Sequence, residues 1–312
     1  MNKFVISTSS FDIENNPHVQ QLIQQGLQVV TNPHGRKLTE EEIITLLAGD
    51  VVGLIAGIEP LTERVLVSTQ NLKVISRCGT GMDSVDLASA KQHDIAVFNT
   101  PEAPAQAVAE LTLGLMLATL RRIGKIDRSL RNGEWLRTPG HLLSAQTVGI
   151  VGLGHIGRRV ALLCQAFGAK VIAYDPYVSQ SLAEVTHMPL TQLLAEADLV
   201  SLHLPYSADA HHLLDAKAFA SMKPGAIVIN AARGGLVDEL ALDEALNSGH
   251  LSAAALDVFE QEPYQGPLLN NDNIIITAHI GSLAKEARQN MEAEAAENLL
   301  RGLINVGLIN DR

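Results

Sequence analysis

The sequence predicts an α/β protein in which a doubly wound parallel sheet is inserted into a smaller parallel α/β domain. Three observations carry that prediction. Short apolar runs rich in Val and Ile alternate with helical stretches along nearly the whole chain. A glycine-rich turn, Gly152-Leu153-Gly154-His155-Ile156-Gly157, falls near mid-chain, and a helical segment from Leu283 to Leu303 is left over after the last strand of the second series. A sheet already complete leaves that helix no obvious place, so it is expected to return to the N-terminal domain. The expected ranges are 1–98 with 283–312 for the outer domain and 99–282 for the inserted one, with two chain crossings as a hinge.

The first series opens with strand Phe4 to Ser7, a helix from Pro17 to Gln25 ended by Gly26, and strand Leu27 to Val30. Thr39 and Glu42 make a capping box that starts the next helix. Strand Val51 to Ile55, a helix starting near Thr62 and strand Leu72 to Ile75 follow. After a loop from Arg77 to Asp86, a short helix leads to strand Ile95 to Phe98. Pro101 and Pro104 then introduce an apolar helix, Ala103 to Leu120, which is the expected linker between domains. Gln106 and Glu110 interrupt it, and a membrane span needs about 20 apolar residues. A helix apolar nearly all round is instead expected to be buried between domains or subunits.

The second series contains six expected strands: Val148 to Val151, Val171 to Tyr174, Leu199 to Leu202, Ile227 to Asn230, Ala253 to Leu256 and Ile274 to Thr277. Between the first two runs a helix from His155 to about Gly168. The glycine turn thus leaves a strand and opens a helix, and Asp175 stands eighteen residues after its last glycine. That context predicts a dinucleotide-binding βαβ unit. The first glycine, Gly152, permits the tight turn, Gly154 lets the backbone approach a pyrophosphate, and Gly157 lets helix and strand pack closely. The helix N-terminus then holds the phosphates. Asp175 ends the second strand where it can bond both ribose hydroxyls and repel a 2′-phosphate, so NAD is expected over NADP.

Composition narrows the classes. At 312 residues and 46% hydrophobic content the chain has room for about two domains with cores of their own. A formal net charge of −11 argues against a nucleic-acid or anionic-membrane surface, while leaving room for a local basic pocket around a small anion. Two cysteines, Cys78 and Cys164, make no disulfide framework and suit a reducing cytosol. The apolar run at Met1 to Ser7 is too short for a signal peptide. A soluble, cytoplasmic protein is expected.

In an open α/β sheet ligands bind beyond the carboxyl ends of the strands, so polar residues just after each strand carry functional information. Arg233 follows strand Ile227 to Asn230 among the small residues Ala231, Ala232, Gly234 and Gly235, where its planar fork can meet a carboxylate or α-keto acid. A lone arginine is otherwise a solvated surface residue. Asp257-Val258-Phe259-Glu260-Gln261-Glu262-Pro263 follows the next strand, and acid runs are usually solvated loops. His279 follows the last strand; it is one histidine of eleven, and nothing local separates it from His203. Together the residues do separate. A nicotinamide cofactor requires of the protein a proton donor or acceptor, a cation to polarise the carbonyl and a group that tunes the donor, and His279, Arg233 and Glu262 match those roles. A carboxylate beside an imidazole favours its protonated form and fixes its tautomer. No metal is expected, because the adjacent pair His211-His212 lacks helical i, i+4 ligand spacing and the cysteines are far apart.

Asn230-Ala-Ala-Arg233-Gly-Gly, Leu256-Asp-Val-Phe-Glu-Gln-Glu262-Pro and Ala278-His279-Ile-Gly resemble the three signatures of the NAD-dependent D-isomer-specific 2-hydroxyacid dehydrogenases, and the resemblance extends over nearly the whole chain. Within that family the chain is most similar to the D-3-phosphoglycerate dehydrogenase group, through Arg77-Cys78-Gly79-Thr80-Gly81-Met82-Asp83, Asn99-Thr100-Pro101 and Tyr174-Asp175-Pro176. The family's fold, a flavodoxin-like catalytic domain split around an inserted Rossmann domain, agrees with the organisation read above. The resemblance implies that Arg233 binds substrate and polarises its carbonyl, that Glu262 pairs with the histidine and that His279 donates the proton. It implies NAD contacts at Thr80, His155, Ile156, Asp175, Leu204, Ala231, Ala232, Arg233, Asp257, His279, Gly281 and Ser282. It also implies that the loop Cys78, Gly79, Thr80, Gly81 holds the substrate carboxylate through backbone N–H groups, and that Ala103 to Leu143, with Trp135, is a homodimerisation segment.

Two departures from the phosphoglycerate pattern stand out. Ala56, in Ile55-Ala56-Gly57-Ile58-Glu59, falls near the place of an expected arginine, which weakens a phosphorylated substrate against hydroxypyruvate or glyoxylate. The sequence ends at Arg312, so control through a C-terminal regulatory domain is not expected. A binding protein of the same fold, like the NAD(H)-sensing C-terminal-binding corepressors, is the alternative from another class.

Overall fold

The computed structural model describes residues 1–177 and 182–310; the parts of the expected domain ranges at 178–181 and 311–312 lie outside the described residues. From the N-terminus the chain forms β1 (Lys3–Ile6), α1 (Pro17–Gln24), β2 (Gln28–Thr31), α2 (Glu40–Leu46), β3 (Val51–Ala56), α3 (Glu63–Ser68), β4 (Val74–Arg77), α4 (Leu87–Gln92) and β5 (Ala96–Asn99). Helix starts follow local chemistry. Asn16 caps α1 by accepting from His18 and Val19 N–H ahead of Pro17, and Thr39 with Glu42 closes the capping box of α2. The five strands pair in parallel in the order β2-β1-β3-β4-β5. All six residues of β3 are buried, as the run Val-Val-Gly-Leu-Ile-Ala in the middle of a parallel sheet requires.

The second series comprises α5 (Ala105–Leu120), α6 (Ile123–Arg131), β6 (Thr147–Val151), α7 (His155–Ala166), β7 (Lys170–Tyr174), β8 (Val185–His187), α8 (Leu190–Glu196), β9 (Leu199–Leu202), α9 (Ala216–Ser221), β10 (Ala226–Asn230), α10 (Glu239–Asn247), β11 (Leu251–Leu256) and β12 (Ile274–Ile276). The strands form one parallel sheet in the order β12-β11-β10-β9-β6-β7-β8. The order reverses at β6, which lies between β9 and β7, and the glycine turn leaves β6 at that switch point. One apolar cluster covers each face: Val151, Val200, Phe219 and Val228 belong to one, and Met116, Ile150, Val160 and Ile229 to the other.

The last helix, α11 (Lys285–Asn305), packs on α1, β3, β4 and β5. Its Met291, Ala295, Leu299 and Leu303 share a core with Phe4, Ile6, Val19 and Val74. Close approach depends on Gly302, where an added Cβ would lie 2.6 Å from Val74 Cγ1. The chain divides into two compact units, Met1–Pro104 with Ala284–Arg312, and Ala105–Leu283.

Three expectations need correction. The second sheet has seven strands where six were expected, because β8 is only three residues long and its sole fully buried side chain is Val185. Strand β4 begins two residues late and includes Arg77, which the sequence placed in a loop; Ser76 and Arg77 still pair with Phe98 and Asn99 of β5. Helix α5, the expected linker, lies wholly in the second unit, where Met116, Leu120 and Ala109 bury against α7. Among the described residues no helix is long and apolar enough to cross a membrane.

Candidate active site

The glycine turn is built as its spacing demands. Gly152 has φ +99°, and a Cβ there would lie 2.8 Å from the carbonyl of His203, beside Leu204. A Cβ on Gly157 would lie 1.9 Å from the Gly152 carbonyl oxygen, so only glycine lets α7 start against β6. At Gly154 an added Cβ meets no protein atom within 4 Å. Gly154 is the N-cap of α7 and offers no side-chain cap, so this terminus presents an open, electropositive surface that fits a pyrophosphate. His155 and Ile156 form the first turn of that helix. Asp175 follows β7; its Oδ2 accepts from Leu153 N–H at 2.7 Å and its Oδ1 from Tyr177 N–H at 2.8 Å. The carboxylate is thereby fixed beside the turn. These features fit a dinucleotide with an unmodified ribose.

Past β10, Asn230 organises the loop that carries Arg233. It is fully buried; its Nδ2 donates to the Arg233 carbonyl at 2.8 Å and its Oδ1 accepts from Ala232 N–H at 3.0 Å. Arg233 Nη1 donates to the Ala232 carbonyl at 2.7 Å, and Ala231 and Ala232 are buried behind it. A Cβ on Gly234 would lie 1.9 Å from the Phe259 carbonyl carbon, so the loops after β10 and β11 are in direct contact.

The loop after β11 is anchored by Asp257, 1% exposed. Its Oδ1 accepts from Thr277 Oγ1 at 2.5 Å and Ile280 N–H at 2.9 Å, and its Oδ2 from Gly281 N–H at 2.8 Å. His279 N–H bonds the Asp257 carbonyl at 2.8 Å. His279 itself adopts φ +52°, uncommon for a residue with a Cβ, and these bonds hold it there. Ser282 closes the same turn, half-buried. His279 Nδ1 lies 2.9 Å from Glu262 Oε2, while Glu262 Oε1 accepts from Phe259 N–H at 3.1 Å. The fold therefore brings Glu262 and His279 into contact from opposite ends of a 17-residue separation.

Burial separates the two histidines that the sequence left alike. His203 is 9% exposed, bonded through Nε2 to Ser201 Oγ at 2.9 Å, and desolvation pushes its pKa down to about 3. His279 keeps 46% of its side chain exposed and has a carboxylate partner. Asn230 and Thr277, to which the sequence assigned no role, hold Arg233 and Asp257 in place. Their signal was a polar residue at the end of an apolar strand.

The loop of the first unit differs in one respect from expectation. Cys78 N–H already bonds the Ala56 carbonyl at 2.9 Å, and Gly79 N–H bonds Thr100 Oγ1 at 2.8 Å. Gly79 has φ +144°, and the Arg77 guanidinium, which donates to the Cys78 carbonyl, fills the space where a Cβ would stand. Asn99 Nδ2 holds the Thr80 carbonyl at 2.8 Å. The backbone N–H groups of Cys78 and Gly79 are thus engaged in shaping the loop.

A seven-stranded parallel sheet with a dinucleotide turn at its switch point, and an imidazole, a carboxylate and a guanidinium on the loops after its strands, defines a nicotinamide-type domain. Residues 113–281 match the family model described as D-isomer specific 2-hydroxyacid dehydrogenase, NAD binding domain. The chain is 40% identical over 283 residues to D-3-phosphoglycerate dehydrogenase of Methanocaldococcus jannaschii, covering 88% of this chain and 54% of that protein. It is 39% identical over 280 residues to hydroxypyruvate reductase of Thermotoga maritima, covering 88% of this chain and 90% of that protein. A glyoxylate reductase crystal structure from Paecilomyes thermophila superposes with a TM-score of 0.88 at 29% identity, covering 99% of this chain and 97% of that one. The chain belongs to the D-isomer-specific 2-hydroxyacid dehydrogenase family. It spans about half the length of the phosphoglycerate dehydrogenases it matches.

Proposed function

We propose that the chain is an NAD-dependent D-2-hydroxyacid dehydrogenase that interconverts a short 2-hydroxy acid and its 2-keto acid, with Arg233, Glu262 and His279 as catalytic residues. The observation that carries this reading is the His279–Glu262 pair at 2.9 Å. Glu262 engages Nδ1, which orients the ring and leaves Nε2 to handle the proton at the substrate oxygen. Bound nicotinamide supplies or takes the hydride. In reduction His279 gives its proton to the carbonyl oxygen as it becomes a hydroxyl, and in oxidation it takes that proton back. Arg233 polarises the carbonyl and pairs with the substrate carboxylate. Asp175 binds the ribose hydroxyls and disfavours a 2′-phosphate.

Two substrate readings are distinguished by one loop. The resemblance and several relatives favour 3-phosphoglycerate. The loop after β3 favours an unphosphorylated acid such as hydroxypyruvate or glyoxylate: Ala56 is buried, and Glu59, 1% exposed, takes the Ser7 hydroxyl and the Gly57 N–H at 3.1 Å. A phosphate dianion placed there would meet a carboxylate, with those two donors already used. NADH oxidation over a panel of 2-keto acids tests both readings. Turnover of 3-phosphohydroxypyruvate no better than hydroxypyruvate supports the unphosphorylated reading; turnover of none of them favours an NAD(H)-sensing interaction protein over an enzyme.

The proposed assembly is a homodimer. Helix α6 buries none of its residues, and Ile123, Leu130, Trp135 and Leu142 are each more than half exposed, an apolar surface of the kind an interface covers. Light scattering that gives one chain mass at micromolar concentration excludes it.

A further inference from the structure

We propose that His211, His212 and Glu260, on the second unit, form a binding site for one divalent transition-metal ion of the zinc class. Sequence spacing alone dismissed the adjacent histidines, but the fold supplies a third ligand from 48 residues away. One ring nitrogen of each histidine and a Glu260 carboxylate oxygen lie within 4.8 Å of one another. Two imidazole nitrogens and one carboxylate oxygen are a recurrent zinc donor set with a fourth position left for water. Metal–ligand bonds of about 2.0–2.2 Å draw such atoms to roughly 3–3.5 Å apart, a closure within reach of side chains that are partly exposed.

The surroundings bear on how the site would form. His212 adopts φ +51°, rare for a residue with a Cβ, and the two rings stack with centroids 3.8 Å apart at 24°; since an ion lies in the plane of each imidazole it bonds, binding turns one ring out of this stack. Outer partners also surround the donors. His212 Nε2 bonds Glu260, and its Nδ1 stands 3.9 Å from Asp238 Oδ2, beyond hydrogen-bond reach but near enough to favour positive charge at the site. Tyr206 Oη lies 3.3 Å from His211 Nδ1, and Glu260 N–H bonds Glu239 Oε1 at 2.7 Å. Nitrogen donors disfavour Mg²⁺ and Ca²⁺, which take oxygen ligands. Because His212 N–H bonds the Gly235 carbonyl at 2.8 Å, an ion here would tie the loop after β10 to the loop after β11.

The test uses full-length, tag-free protein stripped with chelator, titrated calorimetrically with Zn²⁺ and spectroscopically with Co²⁺. The expected result is one ion per chain, visible Co²⁺ bands of a low-coordinate site and a zinc-dependent rise in melting temperature. His211→Gln and Glu260→Gln should each weaken binding at least about tenfold, and Asp238→Asn, which removes a nearby charge and no ligand, by less than either. All three should retain the wild-type metal-free circular dichroism. No zinc binding, zinc affinity unchanged from the wild type in His211→Gln and Glu260→Gln, or binding of Mg²⁺ as tight as that of Zn²⁺ would each overturn the proposal. A variant that lowers the melting temperature without any zinc-dependent shift in the wild type would reduce the cluster to an ion pair.

Discussion

The carboxylate of Asp257 sets the position of His279: it accepts the N–H groups of Ile280 and Gly281 on its two oxygens, while its own carbonyl takes the His279 N–H. The left-handed backbone of His279 rests on these bonds, and with it the direction in which the imidazole meets Glu262. Asp257→Ala should therefore lower kcat by about ten- to a hundredfold through misplacement of the imidazole. It should also cost about 2–4 kcal/mol of stability by leaving buried donors unpaired. Urea melts and steady-state kinetics measured on one preparation check both; a fully active variant would remove Asp257 from this role.

His279→Ala should reduce turnover about 10²- to 10⁴-fold, the usual contribution of a general acid, while NADH still binds. Stopped-flow turnover with fluorescence titration of NADH separates the two effects. Unchanged turnover would exclude His279 as the proton donor.

Two glycines of one turn should respond oppositely. Gly154→Ala adds a methyl group into open space, so its melting temperature should stay near wild type while NADH affinity falls about tenfold or more. Gly157→Ala drives a Cβ to 1.9 Å from the Gly152 oxygen and should cost about 1–3 kcal/mol or prevent folding. Calorimetry of both variants, with and without NADH, reads the contrast.

Buried His203 makes stability pH-dependent. Its pKa is pushed down to about 3, against about 6.5 in an unfolded chain, so the folded state resists the protonated form. Its contribution is complete above about pH 6.5 and is lost as the pH falls toward 3, at no more than about 1.4 kcal/mol per pH unit. Urea midpoints from pH 8 to 4 should show a steeper acid loss in the wild type than in His203→Gln.

Burial pushes the Cys78 thiol up to about 11 and the Cys164 thiol up to about 12. Neither should react with a disulfide reagent at neutral pH in the native protein, and both should react in urea. Rapid native labelling of Cys78 would mean that the loop it begins opens readily.

The fold class was legible because its signals are local: continuous apolar strands, caps such as Thr39 with Glu42, and a glycine turn whose spacing has one steric solution. Strand β8 was not, since Val185 is its only buried apolar residue and the rest of its pairing comes from the neighbouring β7. The candidate site was legible where residue type and strand end coincide, as at Arg233 and His279. It was not legible where a contact spans the fold. No spacing rule connects Thr277 to Asp257 or Glu260 to His212, and His203 differs from His279 only in what surrounds it.

Helix α11 has a consequence for the order in which the protein takes shape during synthesis. The second unit is continuous in sequence and can assemble as soon as it leaves the ribosome. The first unit cannot, because Phe4, Ile6 and Val74 await Met291, Leu299 and Leu303, which the ribosome adds more than two hundred residues later. Until those residues emerge, the strands that carry Phe4, Ile6 and Val74 are a sheet with one oily face bare. In this fold the strands made before the nucleotide turn are finished after it, and a ribosome that stalls ahead of α11 leaves the second unit whole and the first without a wall.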